Sequence, residues 1–147
     1  MKKLILAALF ATSAHAGTVS IQSNPAISYT WDNGIYTTIY PKSRNTESIH
    51  FYDNSLGLEK QYDKDTSVKF AASAGYIFYD TIKVGAVLGK QKDDWKSTTV
   101  FGTTEHHSDK WTPSIEFGVL HQFDAVRVEA GYNVLLKQAS IGLGWKF

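Results

Sequence analysis

From residue 17 onward, apolar and non-apolar positions alternate with a period of two, segment after segment, and the 3.6-residue period of a helix is nowhere sustained. The last segment shows it most plainly. Ala139, Ile141, Leu143, Trp145 and Phe147 share one face, and Ser140, Gly142, Gly144 and Lys146 share the other. Upstream, Val126 to Val134, Ile115 to Phe123, Ile82 to Leu88 and Val68 to Phe78 repeat the alternation. His121 breaks the apolar face of its segment and Leu120 the polar one. In the N-terminal third, Val19, Ile21, Ile27, Tyr29 and Trp31 share a parity interrupted by Ser23 and Pro25. Asp32-Asn33-Gly34 is a hairpin signal, because Asn-Gly accepts the positive φ of a type I′ turn. Ile35–Tyr40 and Ser48–Tyr52 are predicted strands, and Asp53 to Thr66 is mostly polar apart from Leu56, Leu58 and Tyr62. Three strands before Val68 and five after it make eight. Connections alternate between very short (Tyr79-Asp80-Thr81, Asp124-Ala125) and long and polar (Leu88 to Trp111).

The non-apolar face is unlike an ordinary solvent face. It is crowded with glycine (Gly75, Gly85, Gly89, Gly118, Gly131, Gly142, Gly144) and carries charges of both signs at Lys69, Lys83, Glu116, Arg127, Glu129 and Lys146. Small residues and paired charges suit the filled interior of a narrow closed barrel. The apolar face carries aromatics towards strand ends (Tyr76, Phe78, Phe123, Trp145, Phe147), as a headgroup-level girdle requires. Hydrocarbon offers no partner for an open strand edge, so a sheet in lipid must close. Each crossing takes about 9–11 residues. The expected fold is therefore all-β: an eight-stranded antiparallel transmembrane β-barrel, an up-and-down meander. A soluble β-sandwich is the competing reading.

The start of the chain fits this destination. Lys2 and Lys3, the apolar run Leu4 to Ala11 and the small-x-small site Ala14-His15-Ala16 read as a signal peptide over 1–16. Its removal from the 147 residues leaves 131, a single barrel domain over 17–147. Loss of its two lysines moves the formal charge from +1 to −1, a balance that gives nucleic acid no electrostatic hold. The chain has no cysteine, which excludes disulfides and thiolate metal sites. Beyond residue 16 no apolar run reaches the roughly 20 residues of a membrane helix.

The final strand, Ala139-Ser-Ile-Gly-Leu-Gly-Trp-Lys-Phe147, resembles the C-terminal signature of bacterial outer-membrane barrels. The layout from Val68 onward resembles the small eight-stranded barrels of the OmpX, Ail and OmpA transmembrane-domain type. On that resemblance Val68–Tyr79, Ile82–Lys90, Thr112–Phe123, Ala125–Leu135 and Ala139–Phe147 are the fourth to eighth strands. The resemblance implies an outer-membrane location. It also implies that Trp145 and Phe147 form a signal read by the outer-membrane assembly machinery. It is weak for activity, because these barrels share a scaffold and differ in their loops.

Candidate chemistry is sparse. Glu105-His106-His107-Ser108-Asp109 is the densest polar cluster, but adjacent strand residues point to opposite faces, so the spacing suits a solvated loop better than a metal site. His106 and Ser108 also resemble the His-x-Ser pair of the PagL lipid A deacylases. The later glutamate is then Glu116 only by a different geometry, since the residue twelve beyond Ser108 is Leu120. The inward charges Lys69, Lys83, Glu116, Arg127, Glu129 and Lys146 read as a neutralising lumen network rather than an ion path, because unpaired buried charge is costly. The stretches 40–66 and 90–110 mix charges with Tyr52, Tyr62, Trp95 and Phe101 and suit surface contact. The expectation is a monomeric, non-enzymatic outer-membrane protein without cofactor or metal. Its partners are outer-membrane lipid and lipopolysaccharide, the assembly machinery, and an extracellular protein or glycan. Its roles would be adhesion, resistance to host defence or blocking of a phage receptor, with a lipid A acyl hydrolase as the alternative.

Overall fold

The computed structural model describes residues 17–41, 44–54 and 60–147. The expected signal peptide and the apolar pair Leu56 and Leu58 lie outside the described residues. Nine strands follow one another: β1 (Gly17–Gln22), β2 (Ala26–Trp31), β3 (Ile35–Tyr40), β4 (Arg44–Asp53), β5 (Lys60–Phe78), β6 (Ile82–Thr99), β7 (Gly102–Phe123), β8 (Val126–Asn133) and β9 (Gln138–Lys146). Apart from β3 and β4, consecutive strands pair antiparallel. β1 also pairs with β9, and β3 pairs with β5, so the sheet closes on itself. At the seam the Gly17 N–H donates to the Phe147 carbonyl at 3.2 Å and the Phe147 N–H to the Gly17 carbonyl at 3.0 Å.

The closed ring holds eight strands, because β3 and β4 are consecutive lengths of one wall. β3 meets β5 from Tyr76 to Ala71, and β4 then meets it from Val68 to Lys60. The count of eight is thus as expected, but its division in the N-terminal third is different. The segment read as one strand through Ser23 and Pro25 is a hairpin, β1 and β2. The two segments read as separate strands, Ile35–Tyr40 and Ser48–Tyr52, are one wall. The turn chemistry also differs. At Asp32-Asn33-Gly34 only Gly34 has positive φ (85°), and its N–H bonds to Trp31, so Gly34 closes a three-residue loop. The two-residue turn with positive φ at both centres is Tyr79-Asp80, each at 52°.

The apolar face looks outward and stays exposed: Ile115, Val119, Ile141 and Leu143 all lie half in the open around a protein whose interior is already full. A continuous exposed apolar belt of this kind has one solvent that accepts it, the acyl tails of a membrane. Inside, three layers stack along the axis. Midway, Lys83 lies buried with its Nζ 4.0 Å from both Glu116 Oε1 and Glu129 Oε2 and 4.3 Å above the Tyr36 ring. Ser73 donates to Glu116 at 2.7 Å, Tyr40 donates a short hydrogen bond to the same carboxylate, and Gln22 donates to Glu129 at 3.0 Å. Towards the end with the short turns and both chain ends of the barrel, Tyr36, Ile77 and Leu120 close the lumen. Towards the opposite end, Ala26, Tyr40, Val68, Ala71, Val87, Leu135 and Leu136 close it. A void of about 20 Å³ between them has room for about one water molecule.

Candidate functional site: the protruding sheet

Side chains fill the lumen at mid-height and close it at both ends, and the wall continues beyond the barrel on one side. β5, β6 and β7 have 19, 18 and 22 residues, against 6 each for β1 and β2. About 9–11 suffice to cross the membrane, and the remainder continues past it. β4 and the far halves of β5, β6 and β7 form a four-stranded sheet paired from Asp53–Lys60 across to Thr99–Gly102. The stretch expected as polar loop between Leu88 and Trp111 is therefore two long strands with a tip at Val100 and Phe101, both strongly exposed. Among the described residues β4 is paired on one side only, and β7 has no outer neighbour before Ile115.

Alternation gives the sheet two faces. The face continuous with the lumen carries Thr66, Asp93, Lys64, Trp95, Phe51 and Tyr62. Lys64 lies 4.8 Å over the Trp95 ring, and Phe51 stacks on Tyr62 at 4.7 Å. Burial raises the Asp93 carboxyl, but hydrogen bonds from Gln91, Lys110 and Thr66 outweigh it and hold the group at about 2. Its contribution to stability is thus present above the ordinary carboxylate value and lost as pH falls through about 2. The face continuous with the lipid-facing wall is a mosaic of charge. Lys69 and Lys90 converge on Asp109 at 3.1 and 3.6 Å, and Lys92 holds Asp94 at 2.7 Å. Those lysines stand just beyond Phe70, Leu88 and Trp111, the last apolar residues of the belt. Asp109 is lowered chiefly by its hydrogen bond from Lys69, and Asp94 by those from Lys92 and His107. His50 Nδ1 meets Asp63 at 2.7 Å, and His107 Nδ1 meets Asp94 at 2.5 Å.

The structure sorts the residues singled out in the sequence into different places. Lys83, Glu116 and Glu129 come together in the lumen. Arg127 is partly buried nearer the short-turn end, where its Nε donates to Gln122 at 3.1 Å. Lys146 sits at the rim of that end, 3.9 Å from Asp32 and half-exposed. Lys69 lies outside the lumen, because a bulge between Val68 and Phe70 puts an extra residue in β5. The bulge also turns Val68, expected on the lipid face, inward to 1% exposure. Trp145 and Phe147 point outward at the short-turn end and are exposed.

His106 and Ser108 occupy one face of the protruding β7, while Glu116 lies eight residues further along the same strand inside the barrel, roughly 27 Å away. The three do not converge. No group of three or more potential metal ligands occurs among the described residues. Sequence reasoning missed the sheet itself and the two His–Asp contacts. The legible signal was sign alternation across the paired row His50, Asp63, Lys96 and Glu105.

Closed, lipid-facing outside, polar and filled inside, the molecule is a small eight-stranded antiparallel transmembrane β-barrel. Among solved structures, it is similar to Ail, the attachment invasion locus protein of Yersinia pestis, in complex with the heparin analogue sucrose octasulfate. The identity is 14% and the TM-score 0.41, over 90% of this chain and 94% of that one. A second structure of Ail matches at 12% identity and TM-score 0.34, with the same coverage. No protein-family model matches the chain, and no curated protein does.

Proposed function

We propose that this is an exported, monomeric protein of a bacterial outer membrane that acts without catalysis, by presenting the β4–β7 sheet as a contact surface outside the cell. The observation that carries this reading is the asymmetry of the molecule: a plugged barrel with short turns on one side and a four-stranded sheet rising from half of its other rim. In this orientation the short turns and Phe147 face the periplasm, where the assembly machinery would read Trp145 and Phe147. Lys69, Lys90 and Lys92 stand at the level of lipopolysaccharide phosphates, and the exposed Val100-Phe101 tip with Trp95 and Tyr62 reaches an extracellular protein or glycan. Adhesion, resistance to host defence and blocking of a phage receptor all use such a surface.

The test compares bacteria producing the whole protein with bacteria producing a variant whose hairpin 92–108 is replaced by a tight turn. At equal membrane levels, adherence to immobilised matrix protein or glycan, serum survival or phage exclusion is lost with the hairpin. Retention of all of them would remove the reading. The acyl-hydrolase alternative predicts altered lipid A by mass spectrometry, reversed by His106→Ala or Ser108→Ala. The separation of Glu116 from that pair speaks against it.

A further inference from the structure

The two outer strands of the protruding sheet share a device. β4 and β7 are its lateral strands, each backed on one side only among the described residues, and β5 and β6 are the inner pair. One histidine on each lateral strand contacts one aspartate on the adjoining inner strand. His50 of β4 meets Asp63 of β5 at 2.7 Å, and His107 of β7 meets Asp94 of β6 at 2.5 Å. Both pairs lie on the same face, in adjacent rows, and both histidines are well exposed to the medium.

We propose that these two contacts are proton-controlled latches that fasten the lateral strands to the inner hairpin in mildly acidic surroundings and loosen them as the medium becomes alkaline. This rests on the reading of the sheet as the contact surface and names a regulation of it.

The surroundings set the sign. His50 faces Asp63 and Asp65 on β5, with Lys96 of β6 beyond Asp63 and Ser48 and Tyr52 beside it on its own strand. His107 faces Asp94, which also holds Lys92. Asp65 lies directly opposite Asp94, and Glu105 and Asp109 flank His107 on β7. Around His50 the carboxylates of Asp63 and Asp65 outnumber the single ammonium group of Lys96, so that site favours a cation. Around His107, Lys96 holds Glu105, and Lys69 and Lys90 hold Asp109. An Asp65–Asp94 pair is repulsive when nothing neutralises it, and Ser48 donates to Asp65 at 2.5 Å on its other side. The hydrogen bond to Asp63 holds His50 above the ordinary histidine value, and the same bond holds Asp63 below the ordinary carboxylate value. The charged pair therefore persists from moderately acid pH up to the raised histidine value, and its extra hold is lost as pH rises through it. Histidine is suited to this role because its charge changes in the range that natural media span.

Hydrogen–deuterium exchange on the whole protein in lipid nanodiscs, corrected for the intrinsic rate at each pH, provides the test. Between about pH 8.5 and about pH 5.5, protection of amides in 44–53 and 102–110 rises about two- to five-fold, while β1, β2, β8 and β9 stay unchanged as an internal reference. His50→Gln removes the pH dependence in β4 alone and His107→Gln in β7 alone, since glutamine keeps a donor that does not titrate. Equal protection of the wild type at both pH values, or an undiminished dependence in the double variant, would overturn the latch. Exchange needs no partner, so failure to find a surface ligand would sink the proposed function and leave the latch standing.

Discussion

Tyr36 shows how single residues set this barrel's bore. Its ring is fully buried, and its hydroxyl lies where side chains at Gly75 and Gly85 would begin: a Cβ at Gly85 would sit 2.2 Å from the Tyr36 oxygen, and one at Gly75 2.7 Å from it. Those glycines face each other across β5 and β6, so the two bare backbones form the slot into which the ring fits. Their enrichment on one parity was readable in the sequence, but the ring that needs them was not, because it comes from a strand about 40 residues away. Gly85→Val forces the ring out of place and costs about 1–3 kcal/mol, measurable as a lowered urea midpoint of the folded barrel in detergent. On the outer wall, Phe117 is half-exposed midway between Trp111 and Phe123. Phe117→Arg puts a charge at the bilayer midplane and costs about 2–4 kcal/mol, seen in unfolding from lipid vesicles. An effect below about 1 kcal/mol would place Phe117 away from the midplane.

At the scale of elements, legibility follows from what the solvent does to each face. The last five strands could be read because lipid on one side and a packed lumen on the other impose strict alternation. Where both faces meet water, as in 91–99 and 102–110, neither is obliged to be apolar, and two long strands looked like loop. β1 and β2 merged for a different reason: their paired residues add to an even number (Val19 with Tyr29, Ile21 with Ile27), so the odd-numbered apolar positions run through the turn without a break. The bulge at Lys69 left no mark either, since one extra residue shifts parity only when the neighbouring strands are known. That shift releases Lys69 to join Lys90 and Lys92 above the lipid belt. Replacing all three by glutamine should therefore abolish any gain in thermal midpoint on moving the protein from phospholipid nanodiscs to lipopolysaccharide-containing ones. A gain of undiminished size would show that these lysines do not touch the lipid phosphates.

At the scale of the whole molecule, the layered lumen decides between plug and pore. Polar and charged groups fill the middle, yet each end is closed by apolar side chains, and the two closures are built differently. Tyr36, Ile77 and Leu120 come from three strands of the wall and are fixed by it. The other closure is a turn folded inward: Leu135 and Leu136 dip into the mouth, Asn133 accepts the Leu136 N–H at 3.0 Å, and Lys137 reaches Glu47 of β4 at 3.3 Å. Gly89 makes room for it, since a Cβ there would lie 2.4 Å from Leu135 Cδ2. With both ends shut, the protein should show no steady conductance in planar bilayers. Changing Leu135 and Leu136 together to serine should wet the outer half of the lumen while the Tyr36 layer still blocks passage, because two seals in series require both to fail. The chain lacks cysteine, so Ser73→Cys, placed in the polar layer between the seals, reports this directly. A small charged thiol reagent added from the sheet side should leave that cysteine untouched in the capped protein and modify it in the double-serine variant, with conductance absent in both. Modification in the capped protein, or current through the uncapped one, would show that the lumen is not sealed in the way these layers require.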